Sequence, residues 1–285
     1  MSYRGLFVGL TTLDFIYLSD RPLQANQKIV AKDYLTVAGG PATNAAVAFA
    51  AFGNQSHLLS VVGRHPLTEL IRDDLKRHAV SSIDLMPGKT ESPPVSSIVV
   101  SAATGERGII SINAVKSQVD FAPADPLDKI DLLLVDGHQL EVSLKLAALA
   151  KKRQIPIVLD GGSWKPRLEK LLGFVDYAIC SANFYPPQSQ HGDEVFSYLT
   201  KCGVERIAIT HGEQAIQYLD LSTGGTVEVP QIKAVDTLGA GDIFHGAFCH
   251  HILQEQFPRA LKLAAQTASH SCLFFGTRSW LKQPF

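Results

Sequence analysis

Residues 131–210 alternate between short apolar runs and longer amphipathic stretches. The runs 131–136, 155–160, 177–180 and 206–210 read as strands, with 168–172 in series with them; 140–153 and 194–201 read as helices. Near-continuous apolar strands need cover on both faces, and helices between them supply it. The rhythm therefore predicts an α/β fold: a central, mostly parallel sheet flanked by helices. In such folds ligands bind outside the carboxyl ends of the strands. Asp136, Asp160, Asn183 and Thr210 fall near those ends. Runs 6–10 and 58–62 add strands. Residues 42–52 and 66–78 add helices, the second with an apolar stripe at Leu67, Leu70, Ile71 and Leu75. Residues 260–272 form a helix of small residues.

Four further runs do not fit that rhythm. Residues 13–18 partly alternate, and Asp14 interrupts them. A carboxylate among apolar strands needs a partner or a ligand. Residues 27–37 read as strand in two pieces, Lys28-Ile29-Val30 and Tyr34-Leu35-Thr36-Val37. Residues 96–101 and 107–113 flank Thr104-Gly105-Glu106, a hairpin signal. No internal repeat or interdomain linker is visible, and 285 residues suffice for one large core.

Near the C-terminus stands Asp236-Thr237-Leu238-Gly239-Ala240-Gly241-Asp242, leading into an apolar helix over 243–253. Before it, residues 227–230 alternate like an edge strand closed by proline. Glycines let the backbone turn sharply, and the first N–H groups of a helix bind anions. Gly239, Ala240 and Gly241 can aim donors at a phosphate, and Asp242 sits beside them, where the helix start favours its ionised form. A carboxylate beside an anion hole suits transfer of a phosphoryl group to a hydroxyl that the carboxylate deprotonates. The bland alternative is a plain helix start. Rival motifs fail on spacing. A dinucleotide fingerprint would need glycine at Phe244, and a P-loop before Gly88-Lys89-Thr90 would need one at Ile83.

A formal net charge of −1 argues against nucleic acid or an anionic membrane as partner. Four scattered cysteines lack a Cys-x-x-Cys pair and read as thiols in a reducing compartment. No signal peptide is evident, and no apolar run approaches the roughly 18 residues of a membrane span. A cytoplasmic enzyme is the expectation.

The run Asp236-Thr237-x-Gly239-Ala240-Gly241-Asp242, followed by Gly246-Ala247, resembles the C-terminal signature of the ribokinase-like (PfkB) carbohydrate kinases. The resemblance extends over nearly the whole chain. Gly39-Gly40 with Asn44 resembles the family's N-terminal motif, and Gly9-Leu10-Thr11-Thr12-Leu13-Asp14 looks like the ketohexokinase- and sulfofructose-kinase-type branch. The resemblance implies a single ribokinase-like domain over 1–285, with lid strands inserted at 12–37 and 95–113 that cover the sugar and pair two copies as a homodimer. It implies sugar contacts at Asp14, Thr12, Gly39, Gly40 and Asn44, with a weaker candidate at Asn113. It implies nucleotide contacts at Asn183, Thr210, Gly212, Gly239, Gly241 and Gly276. Asp242 is then the catalytic base, and ATP and a sugar are the substrates. Magnesium is expected with ATP, and Asp236 with Gly276 suggests a potassium ion.

Three departures from the family pattern stand out. Pro41 replaces a polar sugar contact, Ala215 replaces a second glycine, and Pro186 stands where relatives carry a glutamate three residues after Asn183. Magnesium must then be held by phosphates, water and another acid. Two alternatives stay open: a nucleoside kinase using Phe15 and Tyr17 as a base slot, and an inactive sugar- or nucleotide-binding sensor. His138, Lys28 and Arg107 are basic residues able to meet an anionic substituent.

Overall fold

The computed structural model describes residues 2–21, 23–112 and 117–283. Strand β1 (Arg4–Val8) lies parallel between β4 (Gln55–Ser60) and β8 (Leu132–Val135). From β1 the chain winds outward through β4 to β5 (Val80–Asp84). It then returns to β8 and winds the other way through β9 (Ile157–Gly161), β10 (Tyr177–Ser181) and β11 (Arg206–His211), all parallel. Antiparallel β12 (Gln214–Asp220) and β13 (Thr223–Val227) complete a nine-stranded sheet. The winding reverses between β1 and β8, so their carboxyl ends open a crevice there.

Helices α1 (Pro41–Ala51), α2 (Thr68–Arg77), α6 (Ala240–His251) and α7 (Phe257–Ser271) pack into the core on one face of the sheet. Helices α3 (Leu140–Lys152), α4 (Glu169–Leu172) and α5 (Gly192–Lys201) pack into the other. Both α1 and α6 are buried over most of their length, which explains why neither carries an amphipathic pattern. They approach closely because Gly246 lacks a side chain: a Cβ there would lie 2.3 Å from the Ala45 carbonyl oxygen. Phe49, Phe244 and Phe248 of the same two helices are buried in the core beneath them. Each contributes about 1.5–3 kcal/mol by burial.

A separate four-stranded sheet has the order β3-β2-β6-β7: β3 (Asp33–Gly39), β2 (Thr12–Ser19), β6 (Val95–Ser101) and β7 (Arg107–Ser111). It buries Ile16, Val37, Ile98 and Val100 against Leu238 and Phe275 of the C-terminal region. A large, mostly parallel sheet flanked by helices, with a small separate sheet beside it, is the α/β architecture expected from the sequence.

Several local expectations are corrected. Lys28-Ile29-Val30 forms no strand, and Val30 is exposed. Leu70 is exposed, and the buried positions of α2 are Thr68, Ile71, Asp74 and Leu75; Asp74 is stabilised there by the ion pair described below. Residues 168–172 contain a short helix, not a strand. The edge strand near 227–230 ends at Val227, and β12 and β5 went unread because neither is a clean apolar run. Asn113 lies outside the described residues.

Candidate active site

Two loops and two helix starts converge at the β1–β8 crevice. Asp136, just after β8, accepts the Leu10 N–H at 2.8 Å and the Ala42 N–H at 3.2 Å through Oδ2, and the His138 N–H at 2.8 Å through Oδ1. It therefore ties the loop after β1 to the start of α1. Asp14, on β2, is buried and accepts the Thr12 hydroxyl at 2.6 Å. Burial raises its carboxyl above the usual range, although Thr12, Ser96 and Arg278 oppose this. Gly39 makes room for it: a Cβ there would sit 1.9 Å from Asp14 Oδ2. Gly40 has φ +100°, a conformation that glycine adopts without strain, and caps α1.

Across from these residues, Gly239 caps α6 in the left-handed conformation, φ 69°. Gly241 and Asp242 follow in the first turn. The Ala240 N–H faces the Thr237 carbonyl oxygen at 3.4 Å, so it is the least free of the three expected donors. Asp242 Oδ2 accepts a hydrogen bond from Asn44 Nδ2 at 2.8 Å. The helix start does not favour the charged form as the sequence suggested. Burial pushes the Asp242 carboxyl up to about 7, and the neighbouring Asp160 charge adds to this. The Asn44 bond and His245 pull it down, and Asp14 pushes it up further. The helix-dipole effect is simply smaller than the cost of removing a carboxylate from water.

Three neighbours of the site, Arg278, Asp74 and His245, went unremarked in the sequence, and Asp160 was read only as lying near a strand end. Arg278 is buried and donates to Asn44 Oδ1 at 2.8 Å, to Asp74 Oδ2 at 3.2 Å and to the Ala38 carbonyl oxygen at 2.5 Å. Burial works against the charge of Asp74, but His78, Arg278 and the Ala38 N–H together hold its carboxyl below the usual range. His245, one turn after Asp242, has Nδ1 2.7 Å from the Gly241 carbonyl oxygen and 3.5 Å from Asp160 Oδ2. A polar residue inside the otherwise apolar start of α6 was the available signal for His245; Asp74 lies in a helix already rich in charged residues, and Arg278 carried no signal.

Beyond the start of α6 opens a cleft of about 540 Å³. Asn183, Thr210, Gly212, Ala240 and Gly241 line it, as does Arg107, reaching over from the small sheet. Arg107 donates to the Thr237 hydroxyl at 2.7 Å. Gly239 and Gly276 are not part of the lining. Gly276 instead donates to Asp236 Oδ2 at 2.8 Å, while Asp236 Oδ1 accepts the Leu238 N–H at 2.9 Å. Asp236 thus ties the loop before α6 to the loop after α7.

Among the described residues no group of three or more His, Cys, Asp or Glu is placed to hold a metal ion. Pro186, three residues after Asn183, offers no side-chain ligand where the family pattern carries a glutamate. No helix among the described residues is long and apolar enough to cross a membrane.

A family model described as pfkB family carbohydrate kinase matches residues 5–283. Ribokinase from Bacillus subtilis is 24% identical over 282 residues, covering 95% of this chain and 93% of its own length. Deoxyribokinase from Salmonella typhi is 26% identical over 292 residues, with 95% and 93% covered. Among solved structures, Arabidopsis thaliana ribokinase complexed with ribose and ATP superposes with a TM-score of 0.78 at 20% identity, covering 100% of both chains. The microbiome-derived acarbose kinase Mak1 superposes at 0.82 and 19% identity, with 98% of this chain and 95% of the other covered.

Proposed function

Because the chain belongs to the pfkB family of carbohydrate kinases, phosphotransferases whose acceptor is an alcohol, we infer that it moves the γ-phosphoryl group of ATP to a sugar hydroxyl with Asp242 as the base. The observation that carries this reading is the Asn44–Asp242 hydrogen bond, made at the start of α6 with the 540 Å³ cleft on its far side. One carboxylate oxygen is held, and the other is left for an acceptor hydroxyl. A carboxyl near 7 matches the pKa expected of a base working at neutral pH.

In this reading the sugar lies between Asp14, the Gly39–Gly40 turn and Asn44. The Asp14 carboxylate accepts hydrogen bonds from sugar hydroxyls, and Asp242 orients the reacting oxygen and takes its proton as it attacks the γ-phosphorus in line. The N–H groups of the Gly239–Gly241 turn face the charge spreading over the phosphoryl oxygens. Asn183, Thr210 and Gly212 line the space for the nucleotide. The charge of the phosphates would be neutralised by magnesium carried in with ATP. The small sheet, docked through Leu238 and Phe275, covers the reacting centre and excludes water. Phe15 packs against the main core, which weighs against its use as a nucleoside slot.

Two finer proposals follow from the same reading. Potassium activation through the Asp236 loop is tested by comparing turnover in potassium and sodium salts. Pairing of two copies through the small sheet is supported by Ile109 and Ile110 of β7, both exposed, and is tested by sedimentation. For the activity itself, ATP consumption is measured against pentoses including ribose and deoxyribose, hexoses, sugar acids and nucleosides. Turnover with a free sugar supports the reading. Turnover with nucleosides alone, or binding without turnover, overturns it.

A further inference from the structure

We infer that Arg278 is a positioning residue for phosphoryl transfer: its guanidinium fixes the Asn44 side-chain amide so that the NH2 end, and not the carbonyl end, faces Asp242. The inference rests on the reading of Asp242 as the base. An amide has a donor end and an acceptor end of nearly equal size, and either can turn toward a neighbour. Arg278 removes that freedom. Guanidinium nitrogens only donate, so the atom of Asn44 that lies 2.8 Å from Arg278 Nη1 must be the carbonyl oxygen. The NH2 group then necessarily points at Asp242 Oδ2, also 2.8 Å away. Turned the other way, the carbonyl oxygen would face the carboxylate, an arrangement tolerable only when Asp242 carries a proton and has ceased to be a base.

Arg278 is not itself a substrate contact. Its Nε and Nη2 donate to Asp74 Oδ2, Nη2 to the Ala38 carbonyl oxygen, and Nη1 also to Thr277. These bonds hold the fork rigid. They also brace Ala38, the residue before the Gly39–Gly40 turn, whose N–H is taken by Asp74 at 3.1 Å. One buried cation thereby sets both the Asn44 amide and the strand end that faces the sugar. The other groups bearing on Asp242 are Asp160 from β9, Asp14 from β2 and His245 from α6 itself.

Replacing Arg278 alone leaves the buried Asp74 carboxylate with only His78 and the Ala38 N–H against its charge, so the test uses Asp74→Asn/Arg278→Met, with Asp74→Asn as its control. Two readouts are taken on the full chain: the titration of the Asp242 carboxyl by carbon-13 NMR, and kcat against pH with MgATP and the best sugar of the panel. The double variant should move the Asp242 titration up by about one pH unit or more and lower kcat at pH 7 by about 10–100-fold. The acidic limb of the rate profile should move up with the titration. In an Asn44→Ala background the same change should move the titration much less, because the amide through which Arg278 acts is gone. An unmoved titration overturns the inference, as does an equal move in both backgrounds, which would make the guanidinium a distant charge only. An enzyme inert toward every sugar sinks the kinase reading instead, and the NMR readout then still decides whether Arg278 sets the amide.

Discussion

Asn44 and Asp242, 198 residues apart in the chain, are joined by a 2.8 Å hydrogen bond where two buried helices begin. Neither residue's role is local. Asn44 is carried by α1, whose start is pinned to β8 by Asp136, and Asp242 by α6, whose start is set by Gly239. The bond exists because Gly246 lets these two helices meet almost backbone to backbone.

The helix contact is therefore a sensitive point. In Gly246→Val the new side chain meets the Ala45 backbone, which cannot yield as a flexible side chain would. Overpacking of this kind costs about 1–3 kcal/mol, and a shift of about 1 Å at a reacting group costs about 10²-fold in rate. Melting and kcat should fall together. A variant with lowered stability and unchanged kcat would separate helix spacing from the site.

The pH profile should carry the signature of Asp242. Its carboxyl stands near 7 and must be ionised to accept a proton, so kcat should rise with pH through about that value. Asp160 is one of the charges that raises it. In Asp160→Asn the rising limb should move to lower pH. A limb that stays in place, or moves upward, would show that Asp160 does not bear on the base.

The same raised carboxyl is a liability for folding. With its folded value above the ordinary carboxylate value of 3.8, the native state binds this proton more tightly than the unfolded chain. The linked stability is full below about 4 and is lost as pH rises toward 7. Asp242→Asn removes the charge that must be buried at high pH. Its melting temperature should exceed that of the wild type at pH 8 and match it near pH 4, with about 2–4 °C expected for each kcal/mol recovered. Equal melting at both pH values would argue against a strongly raised carboxyl.

Gly39→Ala tests the sugar side separately. Its Cβ would overlap Asp14 Oδ2, so the carboxylate must swing away from the position in which Thr12 holds it. Sugar KM should rise by an order of magnitude or more, the scale of a lost charge-assisted hydrogen bond, while KM for ATP stays near the wild-type value. A rise confined to ATP would place Asp14 on the wrong side of the site.

Arg107 should act on the nucleotide side. Its side chain lines the cleft and bonds Thr237, yet it comes from β7 of the small sheet. Arg107→Met should raise KM for ATP several-fold, and more at low salt than at high, since exposed charges are screened. A salt-independent change would point to lost packing.

Much of this architecture was legible in the residues. The apolar runs of the parallel sheet and the glycine-flanked turn before Asp242 speak for themselves, because buried strands and sharp turns restrict composition locally. The failures have physical causes too. Lys28-Ile29-Val30 has strand-forming residues but no sheet to join, and Leu70 fits a helical stripe that Asp74 in fact occupies through its ion pair with Arg278. The state of Asp242 was misjudged because its burial comes from elements distant in sequence. Arg278 was invisible as a site residue for the same reason: its partners, Asn44, Asp74 and Ala38, are 204 to 240 residues away.

The account turns on the Asp242 carboxylate as the proton acceptor, and turnover by Asp242→Asn addresses it directly. Steady-state ATP consumption with the best sugar of the panel, at pH 8 and with the fold verified by melting, should fall by about 10²–10⁴-fold. Turnover within a few-fold of the wild type would contradict it.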